Sequence, residues 1–299
     1  MISRGTLIAA LLVIELAISR EAVVAVNGGQ PAPSSAQRTD AGTASGRQLV
    51  EGGPHQIFDA GTHPALTVDI GYADLTIATG KASQIEVSAS PTTTHGFFRS
   101  TAPITARVDG ETIRIATTGG RRWSTGDDRM VTVLVPPETQ VTVVNAGDIR
   151  ANGLRAESSF KSIGLGSVTV EDYDAPGLQV AASNGRISLY RVVAGRLDAT
   201  SRNGRVDGTA LQVRDGSVES SGRVTLGFAT GADTLVTAET NNGKIRFAGF
   251  TSPASVATGH KSSEDGDDDS TSQTVRVGAG SGHLDVHSSD GNINLAQEG

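Results

Sequence analysis

The 299-residue chain contains 37 Gly, 4% aromatic residues and no Cys, which excludes a disulfide framework, a thiolate metal site and a cysteine nucleophile. Its Val, Ile, Thr, Ser and Ala favour short strands joined by tight turns over a helical bundle. A formal charge of -7 without a basic tail argues against nucleic acid as a partner, since phosphate binding is driven by basic surfaces that release counterions.

In chain order, the first feature is an apolar run behind Arg4, residues 5–14, which resumes after Glu15 through Leu16, Ala17 and Ile18 before Arg20 and Glu21. It has the length of a signal h-region, and Val23-Val24-Ala25 offers a small-residue cleavage site. Residues 1–26 are therefore expected to be a signal peptide or, uncleaved, an N-terminal anchor. Glu15, Arg20 and Glu21 interrupt the span of about 20 apolar residues that crossing a bilayer requires. Residues 27–47, rich in Pro, Ser, Ala and Gly, read as a flexible linker. The expected location is exported: cell surface, periplasm or secreted.

Alternating apolar runs then predict strands at 66–70, 73–79, 85–89, 104–108, 112–116 and 130–135. Polar or Gly-rich excursions at 92–101 and 118–128 make this the irregular first part of one β domain. Pro136-Pro137 ends a strand and opens a regular half.

There Gly147, Gly166, Gly185 and Gly204 recur every 19 residues, followed by Gly222 after 18 and Gly243 after 21. The second and fourth residues after each Gly are apolar: Ile149/Ala151, Val168/Val170, Ile187/Leu189, Val224/Leu226 and Ile245/Phe247, with Val206/Gly208 the weakest. Period 2 means strands with one buried face. Further copies follow Gly195, Gly216, Gly282 and Gly291 half a period away, so each coil carries about two strands. A strand this short cannot bury its apolar face alone; stacking copies about 4.8 Å apart gives each one a neighbour and joins the side chains into one core. Asn184, Asn203, Asn242 and Asp290 precede the Gly, and these dipeptides suit corners of positive φ. They also mark hairpins, but a hairpin sandwich has no reason to space its turns equally. The expected fold is an all-β, single-stranded parallel β-solenoid (β-helix) over 48–296, with about 19 residues per coil and irregular N-terminal coils.

The segment VTVLVPPETQVTVVNAGDIR at 131–150 and the units SNGRI (183–187), NNGKI (241–245) and SDGNI (289–293) resemble the bacterial putative-adhesin β-repeat family, a domain of unknown function. The resemblance covers roughly 48–295. It implies a β-solenoid, often in exported or membrane-attached proteins, and supplies no catalytic residues.

The residue after the repeat Gly points outward, and on successive coils it is Arg186, Arg205, Arg223 and Lys244, a basic ladder suited to an acidic glycan or other linear polyanion. Asp198, Asp207 and Glu219 lie near enough in sequence to offset it. The acidic stretch within 260–272 offers five carboxylates but lacks the alternating spacing of a calcium loop, so it is expected to be a solvated, disordered loop. His283, Asp285 and His287 share the outward face of a strand, the arrangement of a metal-ligand face with no further ligand in sight; solvated polar residues are the plainer reading. Gly278-Ala-Gly-Ser-Gly-His283 has the look of a phosphate-cradling loop, yet a strand follows it instead of a helix, which makes it a turn between coils. No G-x-S-x-G, H-E-x-x-H or Walker pattern occurs in the sequence. No cofactor or metal is expected. The function read here is a noncatalytic cell-envelope binding or scaffold protein that touches a membrane only through its N-terminus. The alternative is a carbohydrate-active β-helix enzyme using Asp198 and Asp207.

Overall fold

The computed structural model describes residues 55–90, 104–117, 130–250, 259–261 and 270–298. All fall within the second of the two units into which the chain divides, 44–299. The expected signal or anchor, the linker and the excursions at 92–101 and 118–128 lie outside the described residues, as does the centre of the acidic loop.

The described residues form strands and no helix. In chain order these are β1 (His55–Asp59), β2 (Ala65–Ile70), β3 (Asp74–Thr79), β4 (Gln84–Ser90), β5 (Ile104–Asp109), β6 (Thr112–Thr117), β7 (Met130–Val135), β8 (Gln140–Asn145), β9 (Ile149–Asn152) and β10 (Ser158–Ser162). They continue as β11 (Val168–Ala182), β12 (Ile187–Ser201), β13 (Val206–Ser220), β14 (Val224–Phe228), β15 (Thr234–Thr240), β16 (Ile245–Ala248), β17 (Gly259–Lys261), β18 (Ser270–Val277), β19 (Gly282–Ser288) and β20 (Ile293–Gln297). Period-2 alternation located the six N-terminal strands β2–β7 to within a residue at each end. β17 and β18 take in 259–261 and 270–277, and residues 262–269 of the acidic stretch lie outside the described residues.

The long strands β11, β12 and β13 pass through two long faces of a stack and a short side that joins them, residues 173–175 in β11. In β11 the buried positions run Val168, Val170, then Tyr173, Ala175, then Leu178, Val180, Ala182. Each three-residue step between buried positions is a corner, where inward and outward exchange. At the first corner Asp172, Arg191 and Ala210 hold positive φ (52°, 51° and 54°). One face runs β1, β4, β7, β3, β9, the starts of β11, β12 and β13, then β14, β20, β16. The other runs β5, β6, β2, β8, β10, the ends of β11, β12 and β13, then β19, β15, β18, β17. Val168 pairs with Ile187 and Ile187 with Val206, 19 residues apart; Val206 pairs with Val224 after 18. One apolar core runs the length of the stack between the faces.

The expected single-stranded parallel succession is corrected at both ends. The first coil, β2–β3, lies inside the stack, with β6–β7 on one side and β8–β9 on the other. The last coil, β19–β20, is likewise inserted between β13–β14 and β15–β16. Antiparallel strands extend both faces at the N-terminal end and the second face at the C-terminal end: β4 on β7, β5 on β6, and β18 on β15. A parallel stack in strict chain order would leave a whole coil's row of N–H and C=O groups open at each end. Folding the chain back places its first and last coils inside the stack and leaves β1, β5, β16 and β17 as the edges of the described sheet.

Turn chemistry is corrected too. Of the glycines read as repeat members only Gly216 has positive φ, and the conformation otherwise belongs to Gly61, Gly110, Gly153 and others; Gly147, Gly166, Gly185, Gly204, Gly222 and Gly243 are not positive-φ residues. They are needed for close approach. A Cβ on Gly166 would overlap the carbonyl of Gly147, and the same overlap links Gly185 to Gly166, Gly204 to Gly185, Gly222 to Gly204, Gly291 to Gly222 and Gly243 to Gly291. Gly291 thus belongs to this column and not to the half-period series. Gly216 stands opposite Leu197 and Leu284, two residues out of the register expected from Gly195.

Beside the glycine column runs a buried polar column. Ser162 Oγ donates to the Gly147 carbonyl (3.3 Å), Ser201 to Gly185 (3.1 Å), Ser220 to Gly204 (2.8 Å), Ser288 to Gly222 (2.8 Å) and Thr240 Oγ1 to Gly291 (2.9 Å). Corner carbonyls that point between coils thereby gain donors inside a dry core.

Candidate binding faces

Stacking sets the geometry of the outward rows. The carbonyls of Arg186, Arg205 and Arg223 accept the amides of Val168, Ile187 and Val206 at 2.9, 2.9 and 3.1 Å, which puts the three arginines on consecutive coils. All three are exposed. The fourth member of the expected ladder is displaced. Asn292 lies between Arg223 and Lys244: the Val224 amide donates to its carbonyl, and its Oδ1 accepts the Lys244 amide at 2.9 Å. The cause is the inserted β19–β20 coil. Asp207 also takes a share of the row, with Arg205 Nε 2.9 Å and Arg186 Nε 3.6 Å away. Arg223 and Lys244 make no ion pair among the described residues. At the opposite end the same row carries Asp148 and Asp74, so its charge changes sign along the stack.

Asp198 and Asp207, the carboxylates of the enzymatic alternative, lie on different faces. Asp207 faces out beside Arg186 and Arg205, whereas Asp198 accepts two hydrogen bonds from Arg196, Nε at 2.7 Å and Nη2 at 3.0 Å. They do not converge as an acid–base pair. His283 Nε2 lies 2.9 Å from Asp285 Oδ1, and the His283 amide donates to Asp215 Oδ1 at 3.0 Å. Among the described residues no group of three or more His, Asp or Glu side chains gathers as a ligand set.

The Gly278 loop holds an anion, and the anion is the protein's own. Gly278 and Gly280 have φ of 63° and 72°, and Asp233 accepts the Ser281 amide (3.1 Å) and hydroxyl (2.6 Å). These hydrogen bonds, with further ones from the Gly280 and Ala279 amides, hold the Asp233 carboxyl below the usual range.

One feature escaped the sequence reading. At the positive-φ corner, Arg191 grips Asp172 of the coil below through Nε and Nη2, and its guanidinium lies 4.0 Å over the exposed Tyr190 ring. The bond to Arg191 lowers the Asp172 pKa and raises that of Arg191. The two residues are 19 apart, the repeat's own period, which is the signal that could have found them.

Together these features define an all-β protein of stacked, mostly parallel coils with two polar outer faces. The chain belongs to the Toastrack DUF4097 family, whose profile matches residues 63–296, in keeping with the resemblance carried by its repeat units. Three solved structures are similar at low identity. A putative adhesin from Bacteroides fragilis shares 12% identity, with 82% of this chain and 96% of that one covered and a TM-score of 0.48. A putative adhesin from Parabacteroides merdae shares 10%, covers 82% and 95%, and scores 0.44. A putative cell adhesion protein from Clostridium sporogenes shares 8%, covers 85% and 100%, and scores 0.34. Comparison with curated proteins finds no match.

Proposed function

We propose that this chain is a noncatalytic, exported binding or scaffold protein, and that the arginine row of its first face holds a linear polyanion such as an acidic glycan of the cell envelope. The observation that supports this reading is the register of Arg186, Arg205 and Arg223, three exposed cations on consecutive coils about 4.8 Å apart. A sulfate or carboxylate meets no large barrier in competing with Asp207, because exposed ion pairs are worth only about 0–1 kcal/mol. Arg223 needs no such exchange. The -7 overall charge works against nonspecific polyanion binding, so retention has to come from a local row.

The test is salt elution from immobilised heparin, with Arg205→Glu/Arg223→Glu beside the parent protein. Elution of the double variant at clearly lower salt is expected; unchanged retention rejects the arginine row. Export follows from the apolar run behind Arg4, and cell fractionation with N-terminal sequencing of the mature chain tests it. A cytoplasmic chain beginning at Met1 would sink it.

A further inference from the structure

The second face carries a groove of about 350 Å³ where β8, β10, β11 and β12 lie side by side. Gly177, which has no side chain, is among its lining residues. In register across these strands, Gly177 stands between Glu157 and Arg196, so the two charged side chains flank a gap of two strand spacings, about 9–10 Å. Glu157 leans over the gap: a Cβ on Gly177 would lie 3.2 Å from its Oε1. The Gly177 carbonyl accepts the hydroxyl of the buried Tyr173, which ties the floor to the core. The next row along the strands is Ser159, Gln179 and Asp198, with Ser159 Oγ donating to Gln179 Oε1 at 3.4 Å and Asp198 held by Arg196.

We infer that this groove is a second binding site and that it takes a segment of a neutral, hydroxyl-rich saccharide. The lining side chains are hydrogen-bonding groups of every kind: amides at Gln140 and Gln179, a hydroxyl at Ser159, carboxylates at Glu157 and Asp198, and a guanidinium at Arg196. A sugar hydroxyl both donates and accepts, so it can satisfy each of them. Arg196 gives two of its five N–H donors to Asp198 and keeps three. Glu157, Arg196 and Asp198 sum to one negative charge, which disfavours the polyanion assigned to the other face. The apolar neighbours Val141 and Leu178 are buried in the core, so the groove has no apolar pocket of the kind that recognises a peptide side chain. Its volume is that of a small-ligand site. The inference stands apart from the arginine row, and its test separates the two.

Affinity electrophoresis in gels containing dextran, mannan, laminarin or amylose reads the site directly. Gly177 does not have positive φ, and its crowding neighbour is the flexible Glu157, so Gly177→Leu plugs the groove without straining the backbone. The expected result is retardation of the parent chain in at least one gel, weakened at least tenfold by Gly177→Leu, weakened also by Gln179→Ala, and unchanged by Arg205→Glu/Arg223→Glu. Circular dichroism of each variant establishes that it is folded; if Gly177→Leu is not, Gln179→Ala decides. No retardation of the parent protein, or retardation indifferent to the groove variants, overturns the inference. So does loss of heparin retention in Gly177→Leu without any neutral-gel effect, which would assign the groove to anions.

Discussion

Gly185 lies so closely over Gly166 in the neighbouring coil that a Cβ on Gly185 would overlap the Gly166 carbonyl oxygen, far inside van der Waals contact. The contact repeats up the column, and it is backbone against backbone, with no flexible side chain to give way. Gly185→Ala is therefore expected to push two coils apart and to cost about 1–3 kcal/mol, the range for overpacking a tight interior. Urea denaturation reads it. Gly110→Asn is the control: Gly110 has φ of 62° with nothing within 4 Å, and Asn tolerates that conformation, so stability should change by less than about 1 kcal/mol.

Ser220→Ala removes the hydroxyl that donates to the Gly204 carbonyl at 2.8 Å and accepts from the Gly222 amide at 3.1 Å, while that carbonyl keeps the Gly222 amide, also at 3.1 Å, as a donor. The expected loss is about 0.5–1.5 kcal/mol. The reverse substitution exists in the same column. Ala182 pairs with both Ser162 and Ser201, where a hydroxyl would point at the Gly166 carbonyl. Ala182→Ser should restore the missing rung and raise stability by about 0.5–1.5 kcal/mol. A lower midpoint for Ala182→Ser would show that the column is packing and not hydrogen bonding.

Burial pushes the Tyr173 hydroxyl up to about 12 from its ordinary 10.0. The group is raised in the folded chain, so its contribution is fully present below pH 10 and is lost as pH rises through 12. A shift of this size corresponds to about 2–3 kcal/mol. The parent chain should lose stability between these values in alkaline denaturation, and Tyr173→Phe, less stable at neutral pH, should show a flatter decline. Equal slopes would remove Tyr173 from the alkaline transition.

Asp233, held low by the amides and hydroxyl of its loop, contributes order that is present above its ordinary value of 3.8 and lost as pH falls through its depressed one. Asp233→Ala empties the nest at any pH. The Ser281 amide is expected to lose hydrogen-exchange protection in this variant while core amides of β12 keep theirs; retained protection would mean that the loop is shaped by Gly278 and Gly280 alone.

Much of the architecture was legible in the chain because the signals are local. Alternation at 66–70 or 130–135 decides which side of a strand is apolar, and a side chain's solubility does not depend on what its strand later pairs with. The 19-residue step between Gly147, Gly166, Gly185 and Gly204 carried the stacking of the middle coils, since identical coils pair in register. The candidate sites were legible only in part. That Arg186, Arg205 and Arg223 stand on consecutive coils could be read from the repeat, but the Asp172–Arg191 corner was passed over because neither residue is apolar or glycine. The groove at Gly177 was invisible because a hollow is the absence of a side chain among neighbours that come from four different strands.

By itself, then, the sequence determined β2–β7 and the strands that follow the repeat glycines, their buried faces, the period of the middle coils and the family, but not β1, β10, β15, β17 or β18. Tertiary structure alone decided the order of the stack. Pairing of β20 between β14 and β16 is a long-range choice with no period to mark it, and that choice sets Asn292 between Arg223 and Lys244. The same holds for the repeat glycines. Their spacing is written in the chain, but their purpose, room for a neighbouring coil's carbonyl, becomes visible only once the coils are stacked.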